Sequence, residues 1–258
     1  MSSNPGHPPA TRLGRAVRAT TEGANAAAGR HREGHRQSNW LRDVILGGQD
    51  GLVNILGIIL GVIAGGGSDT VLLAAGFAAA ITESISMGAV GYTSSISERD
   101  YYEAERAREA TEIDTVPEAE RQEIRDIYAA KGFTGTLLDG VVETITANRE
   151  TWLGTMMDEE LHLQPVQSRD ILRTAVVITI ATLIGHLIPL LPFVVLPRTE
   201  ALVLAIVLSA LALFGVGVYS ALTLVGDWRK SGLRMVAIGL GAAAVGFLVG
   251  RVFNSAGV

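Results

Sequence analysis

The sequence predicts an all-α, polytopic membrane protein with five transmembrane helices and a charged helical insert between the second and third. Three observations predict it. Hydrophobic residues make up 48% of the 258 and gather in long blocks instead of spreading through a soluble pattern. Glycine is abundant, at 30 residues, and aromatics are only 5%, which suits spans that pack by close backbone approach. Between the second and third apolar blocks the chain turns strongly acidic while keeping helix-forming residues.

Composition also excludes several classes. The chain has no cysteine, so disulfides, thiolate metal sites and cysteine catalysis are ruled out. Any metal must be held by oxygen, imidazole or thioether. The formal net charge of −5 combines a basic beginning with an acidic middle, which argues against nucleic acid as a partner. Residues 1–39 are rich in Ala, Gly, Pro, Arg and Ser, have no apolar run and lack the core of a signal peptide. They read as a disordered basic arm whose Arg12, Arg15, Arg18, Arg30, Arg32 and Arg36 help set orientation.

The first span is expected over 44–64, long enough for a hydrocarbon core roughly 30 Å thick. It is unusual in holding Gln49, Asp50 and Asn54. A turn of Gly65, Gly66, Gly67, Ser68 and Asp69 leads to the second span, 70–93, which carries Glu83. Beyond Thr93 the residues SSISERDYYEAERAREATEI contain no Gly or Pro, so the second span is expected to project into water as one long helix. Pro117 opens another helix, PEAERQEIRDIYAA, closed by Lys131 and Gly132. Two short amphipathic helices are expected over 135–147 and 150–163, ending before Pro165. Spans three to five follow over 171–191, 202–225 and 233–253. The domains are thus 1–39, 40–93, 94–166 for the insert, and 167–258.

Five spans put the termini on opposite sides. Arg42 and the loop GDWRKSGLR, with Arg229, Lys230 and Arg234, fall on the side of the insert, whereas the other side has little beyond Arg198 and Arg251. The positive-inside rule therefore makes the N-terminus and the insert cytoplasmic.

A carboxylate inside a span costs several kcal/mol unless it meets a partner or a wet cavity, so Asp50 and Glu83 are functional candidates by default. A structural bond from Asp50 to Gln49 or Asn54 is the competing reading. Asp50 lies about 9 Å into the first span and Met87 about 8 Å into the antiparallel second, which predicts similar depth. Glu83 precedes Met87 by one turn on the same face, joining a carboxylate and a thioether. Those donors favour a borderline transition metal over Mg²⁺ or Ca²⁺. In the insert, Glu109 with Glu112 and Glu120 with Glu123 share helix faces, and Met156, Met157 and Glu160 lie within about one turn. Such groups could chelate a divalent ion between helices. A solvated face paired with Arg106, Arg108, Arg121 and Arg125 is the alternative for each Glu pair. His186 is read as an interfacial hydrogen-bonding residue near the outer end of the third span and is left out of the site. Gly57, Gly61 and Gly65, and Gly246 with Gly250, have the small-xxx-small spacing of close helix contacts.

Three ordered motifs, WLRDVILGGQDGLVN, ESISMGAVGYTSSISERDYYEAERAREATEI and ETWLGTMMDEEL, resemble the vacuolar iron transporter family from about Trp40 to the C-terminus. The resemblance implies a five-span homodimer with the ion path at its two-fold interface. It further implies proton-coupled export of Fe²⁺ from the cytoplasm into a vacuole or across the plasma membrane, with no permanent cofactor. Asp50 corresponds to the family's intramembrane aspartate and Met87 to the methionine of its SMG motif, both proposed pathway residues. Glu109, Glu112, Glu120, Glu123, Met156, Met157 and Glu160 match the family's cytoplasmic metal-binding domain. One departure follows SMG: many relatives have Gly-Glu-Tyr where this chain has Val90, Gly91 and Tyr92. Glu83 is expected to take over the missing carboxylate's role in proton exchange. Rival expectations are transport of Mn²⁺, Co²⁺ or Zn²⁺, a metal sensor without flux, and a membrane-bound di-iron carboxylate enzyme. For the last, Glu159 and His162 supply only one of the two Glu-x-x-His motifs such a bundle needs.

Overall fold

The computed structural model describes residues 39–224 and 226–256. The basic arm expected over 1–39 lies outside them, except that Asn39 begins the first helix. Among the described residues the structure is helical without strands, and five helices are long and apolar enough to cross a membrane.

Helix α1 (Asn39–Ala64) ends at the glycine turn, where Gly66 takes the left-handed φ of +80° that side chains resist. Ser68 caps the next helix, its hydroxyl oxygen accepting from the Val71 N–H at 3.3 Å. That helix, α2 (Asp69–Thr115), runs 47 residues without a break, as expected from the absence of Gly and Pro beyond Gly91. It stops at Val116 because Pro117 disfavours helical backbone in the residue before it.

The insert continues with α3 (Pro117–Ala130), α4 (Gly135–Thr146) and α5 (Arg149–Thr155). Helix α5 then widens into a π-helical turn, Met156–Glu160, in which the Leu161 N–H donates to the Met156 carbonyl. The chain leaves this turn through His162, which has a left-handed φ of 54°. The sequence had suggested one regular helix over 150–163. Buried Ile113, Ile124, Val142, Trp152 and Leu153 form the insert's apolar core. Arg149 ties this core to the long helix, donating to Asp114 at 2.6 Å and to the Ala110 carbonyl at 2.9 Å.

The remaining helices are α6 (Ser168–Leu190), the short α7 (Pro192–Val195), α8 (Arg198–Leu224) and α9 (Trp228–Ser255). Helix α1 lies at the centre of the bundle, against α2, α6, α8 and α9. Glycines set its closest approaches. A Cβ at Gly47 would lie 2.9 Å from the Ile178 carbonyl of α6, and one at Gly185 would collide with the Gly48 carbonyl. On the α9 side, a Cβ at Gly246 would collide with the Gly57 carbonyl and one at Gly250 with that of Gly61. The two small-xxx-small stretches therefore meet each other within one chain. Large apolar side chains such as Leu46, Ile85, Leu172, Leu211 and Leu222 face outward, as they do on surfaces that meet lipid.

Candidate functional site

Two of the insert's acidic residues, Glu109 of α2 and Glu120 of α3, face inward. Glu109 and Glu120 are almost fully buried, and each has a carboxylate oxygen out of solvent with no hydrogen-bond partner. Burial pushes the proton affinity of Glu109 up to a pKa of about 7, helped by the negative charges of Glu160, Glu112 and Glu123. Glu120 is also pushed up to about 7, by burial first and then by Glu123, Glu109, Glu112 and Glu160. Burial likewise raises Glu160, with Glu123 and Glu112 adding to the effect. Glu109, Glu120 and Glu160 thus each feel the charges of Glu112 and Glu123.

The arginines go mostly elsewhere. Arg106 pairs with Glu150 at 2.7 Å and Arg125 with Asp139 at 2.6 Å, while Arg121 lies over the Trp152 ring at 5.8 Å. Arg108 binds Glu105 at 2.9 Å and reaches Glu109 and Glu112 only at 3.7 and 3.9 Å. Among the described residues no ion pair reaches Glu120, Glu123 or Glu160. The solvated, salt-bridged face therefore exists, but it is built largely from other carboxylates. Met156 and Met157 belong to the buried apolar core, with the π turn setting them next to Glu160. Among the described residues no three Asp, Glu, His or Cys side chains converge tightly enough to form a ready-made metal site. An ion held here would draw the carboxylates inward and displace protons from Glu109 and Glu120.

Glu159 and His162 do not form part of a di-iron motif. Glu159 pairs with Lys131, and His162 lies beyond the helix end with its Nδ1 3.1 Å from the Asp158 carbonyl. A Glu-x-x-His pair presents both side chains together only on a regular helix, and the π turn removes that geometry.

In the membrane half, polar side chains form a line across three helices. The Asn54 amide of α1 donates to Glu83 Oε1 of α2 and lies 3.4 Å from Asp50 Oδ1 on its own helix. Glu83 Oε2 lies 2.8 Å from His186 Nε2 of α6, and His186 Nδ1 lies 2.8 Å from the Thr182 carbonyl. The expected local bond between Asp50 and Asn54 is thus present, and it extends onward to Glu83.

His186 was expected at a wet interface, but its exposure is 0%. The chain beyond it does not end at the surface: Leu190 and Pro192 are themselves buried and close that end of the bundle. Room for the imidazole comes from Gly51, where a Cβ would lie 2.7 Å from Nδ1. The glycine beside Asp50 in GGQDG therefore serves a histidine far away in sequence.

Met87 lies closer to the insert than this line. It lines a cavity of about 190 Å³ between α1, α2 and α6, together with Arg42, Asp43, Glu98, Thr174 and Ile178. Asp50 is not among the cavity's lining residues and lies 3.4 Å from the Asn54 amide instead. Sequence reading passed over Asp43 and Glu98, although Asp43 precedes Asp50 by two turns on one face. Gly91 lies against Ile178, and a Cβ there would lie 2.6 Å from the Ile178 side chain.

Comparison with known proteins gives one consistent result. The family model described as the VIT family matches residues 41–251. Vacuolar iron transporter 1 of Arabidopsis thaliana is 34% identical over 213 residues, covering 82% of this chain and 85% of that protein. Vacuolar iron transporter 1 of Eucalyptus grandis is 32% identical over 227 residues, covering 87% and 91%. The vacuolar iron transporter of Plasmodium falciparum is 28% identical over 237 residues, covering 88% and 87%.

Proposed function

The chain belongs to the VIT family, and on that premise we propose that it exports Fe²⁺ from the cytoplasm in exchange for protons. Its relatives are named as transporters, and the chain is a transporter of metal ions rather than an enzyme. The observation that carries the reading is the pair Glu109 and Glu120, buried without hydrogen-bond partners for one oxygen each, beside two further glutamates and the Met156 to Glu160 turn. Elementary electrostatics makes such a cluster hold either protons or a cation.

In this reading the insert is cytoplasmic and collects ions with Glu109, Glu112, Glu120, Glu123, Met156, Met157 and Glu160. Ions then pass the cavity at Met87 and the level of Asp50, while Glu83 exchanges protons. The N-terminus lies on the insert's side, the C-terminus on the other, and the chain works as a homodimer in a plasma or vacuole-type membrane. The test is uptake by proteoliposomes under an imposed pH gradient. Asp50→Ala and Met87→Ala are expected to lose Fe²⁺ uptake at least tenfold; uptake at the parental rate overturns the path.

A second reading keeps the architecture and changes the cargo to Mn²⁺, Co²⁺ or Zn²⁺. The mixture of carboxylate and thioether supports it, because these donors do not choose sharply among borderline divalent ions. Competition between Fe²⁺ and Mn²⁺ in the same vesicles separates the two.

A further inference from the structure

The Thr182 carbonyl can only accept a hydrogen bond, so the 2.8 Å contact to His186 Nδ1 requires the hydrogen on Nδ1. In a neutral ring Nε2 is then bare. It lies 2.8 Å from Glu83 Oε2, and an ionised carboxylate is also bare. Two lone pairs repel at that distance, so a proton must lie between them, on one atom or the other. The other oxygen, Oε1, accepts from Asn54, which leaves Oε2 for this proton. His186 has no exposure at all, so water cannot substitute as its partner.

We propose that Glu83 and His186 together form a one-proton site inside the membrane, the carrier of the proton that returns as the metal leaves. The proposal rests on the transport reading and adds His186 to it. The proton leaves from between Oε2 and Nε2 to water, yielding a Glu83 carboxylate and a neutral His186 protonated on Nδ1. One of the two 2.8 Å contacts must then open. On either side of the pair α2 and α6 also meet closely, at Gly76, where a Cβ would lie 2.6 Å from Leu190, and at Gly88, where one would lie 3.1 Å from the Ala175 carbonyl. Losing the proton therefore loosens the bundle between two tight points.

The groups facing the pair decide when the proton leaves. Helix α1 presents Asp50 and the neutral Asn54. Helix α8 has no Asp, Glu, His, Lys or Arg over 201–224, and the charges of α9 are Arg229, Lys230, Arg234 and Arg251 near its ends. Asp50 is thus the facing carboxylate. A divalent cation passing it favours loss of the proton, and the proton's return favours departure of the cation. Occupancy by metal and by proton becomes exclusive, as exchange requires.

The test uses the full chain in proteoliposomes, Mn²⁺ as the probe and a pH-sensitive dye in the lumen, reading protons moved per Mn²⁺. His186→Gln and Glu83→Gln are expected to lower that ratio at least tenfold, whatever their flux. An unchanged ratio overturns the proposal. The second readout needs no transport: ¹⁵N-histidine NMR of the parent, with His186 assigned by its loss in His186→Gln. Glu83→Gln is expected to shift the His186 Nε2 resonance, and an unchanged spectrum overturns the shared proton. A parent that moves Mn²⁺ without protons overturns the exchange reading itself, while the NMR result still decides whether the pair binds a proton. If His186→Gln fails to insert, specific ¹⁵N labelling of the parent and Glu83→Gln carry the test.

Discussion

Glu109 and Glu120 are buried on neighbouring helices, and the charge of Glu109 adds to the affinity of Glu120 for a proton. Native carboxyls pushed up to about 7 bind protons that the unfolded chain, near 4.5, has already released. Between those values the native state binds more protons, so stability falls as pH rises. The metal-free protein is therefore expected to be most stable in mild acid and to lose stability from about pH 4.5 to about 7. The loss is on the order of 3 kcal/mol for either carboxyl alone. Chemical denaturation of the insert signal at several pH values, with chelator present, checks the slope. Divalent metal is expected to reverse it, because ions bind the deprotonated carboxylates.

Met156 and Met157 are packed in the insert core and also flank the acidic cluster. Leucine keeps their bulk and removes the thioether. Met156→Leu and Met157→Leu are each expected to change stability by less than about 1.5 kcal/mol. If sulfur ligates, the double variant weakens Mn²⁺ or Fe²⁺ binding to the insert by about tenfold or more, measured by calorimetry. Unchanged affinity assigns both residues to packing alone.

Gly51→Ala is expected to destabilise the protein by about 1–3 kcal/mol, because the new methyl meets the Thr182 carbonyl and the His186 ring. Thermal unfolding in detergent measures the loss. The same substitution is expected to disturb the His186 resonance, whereas Gly154→Ala, where a Cβ meets nothing within 4 Å, leaves it in place.

Gly246→Val is expected to part α9 from α1, since even a Cβ at this position collides with the Gly57 carbonyl. A lower unfolding temperature with an unchanged oligomer, measured by light scattering, would show that this motif holds the protomer together and not the dimer. Dissociation into stable monomers would reverse that assignment.

Much of the fold could be read from the chain. Apolar blocks marked the five spans, and the run without Gly or Pro after Gly91 foretold the unbroken α2. Pro117 and Gly132 bounded α3 because both act locally on the backbone. Helical spacing put Glu109 with Glu112 and Glu120 with Glu123 on shared faces, but did not tell which of them are buried, namely Glu109 and Glu120. Contacts between distant helices were not legible. His186 looked interfacial because its depth was counted along its own helix, while its burial depends on Gly51, Glu83 and the residues that follow it. The arginines near the glutamates could not be assigned partners from spacing, since Glu150 and Asp139 lie on other helices. The π turn also lacked a signal, as MMDEE has ordinary helix-forming composition.

The unbroken length of α2 makes it a pointer with one end in the membrane and the other in the insert. Glu83 and Glu109 lie on the same rod, separated by roughly 39 Å of helix. Tilting the rod by about ten degrees at Glu83 sweeps Glu109 sideways by about 7 Å, more than the spacing between adjacent helical turns. A small rearrangement around one proton is thereby magnified into a displacement that can reshape the ion cluster. In the proposed transport, an ion bound at the distal end would exert the reverse leverage on the membrane half. Stiffness, a property of the backbone and not of any ligand, lets the two ends keep time with each other.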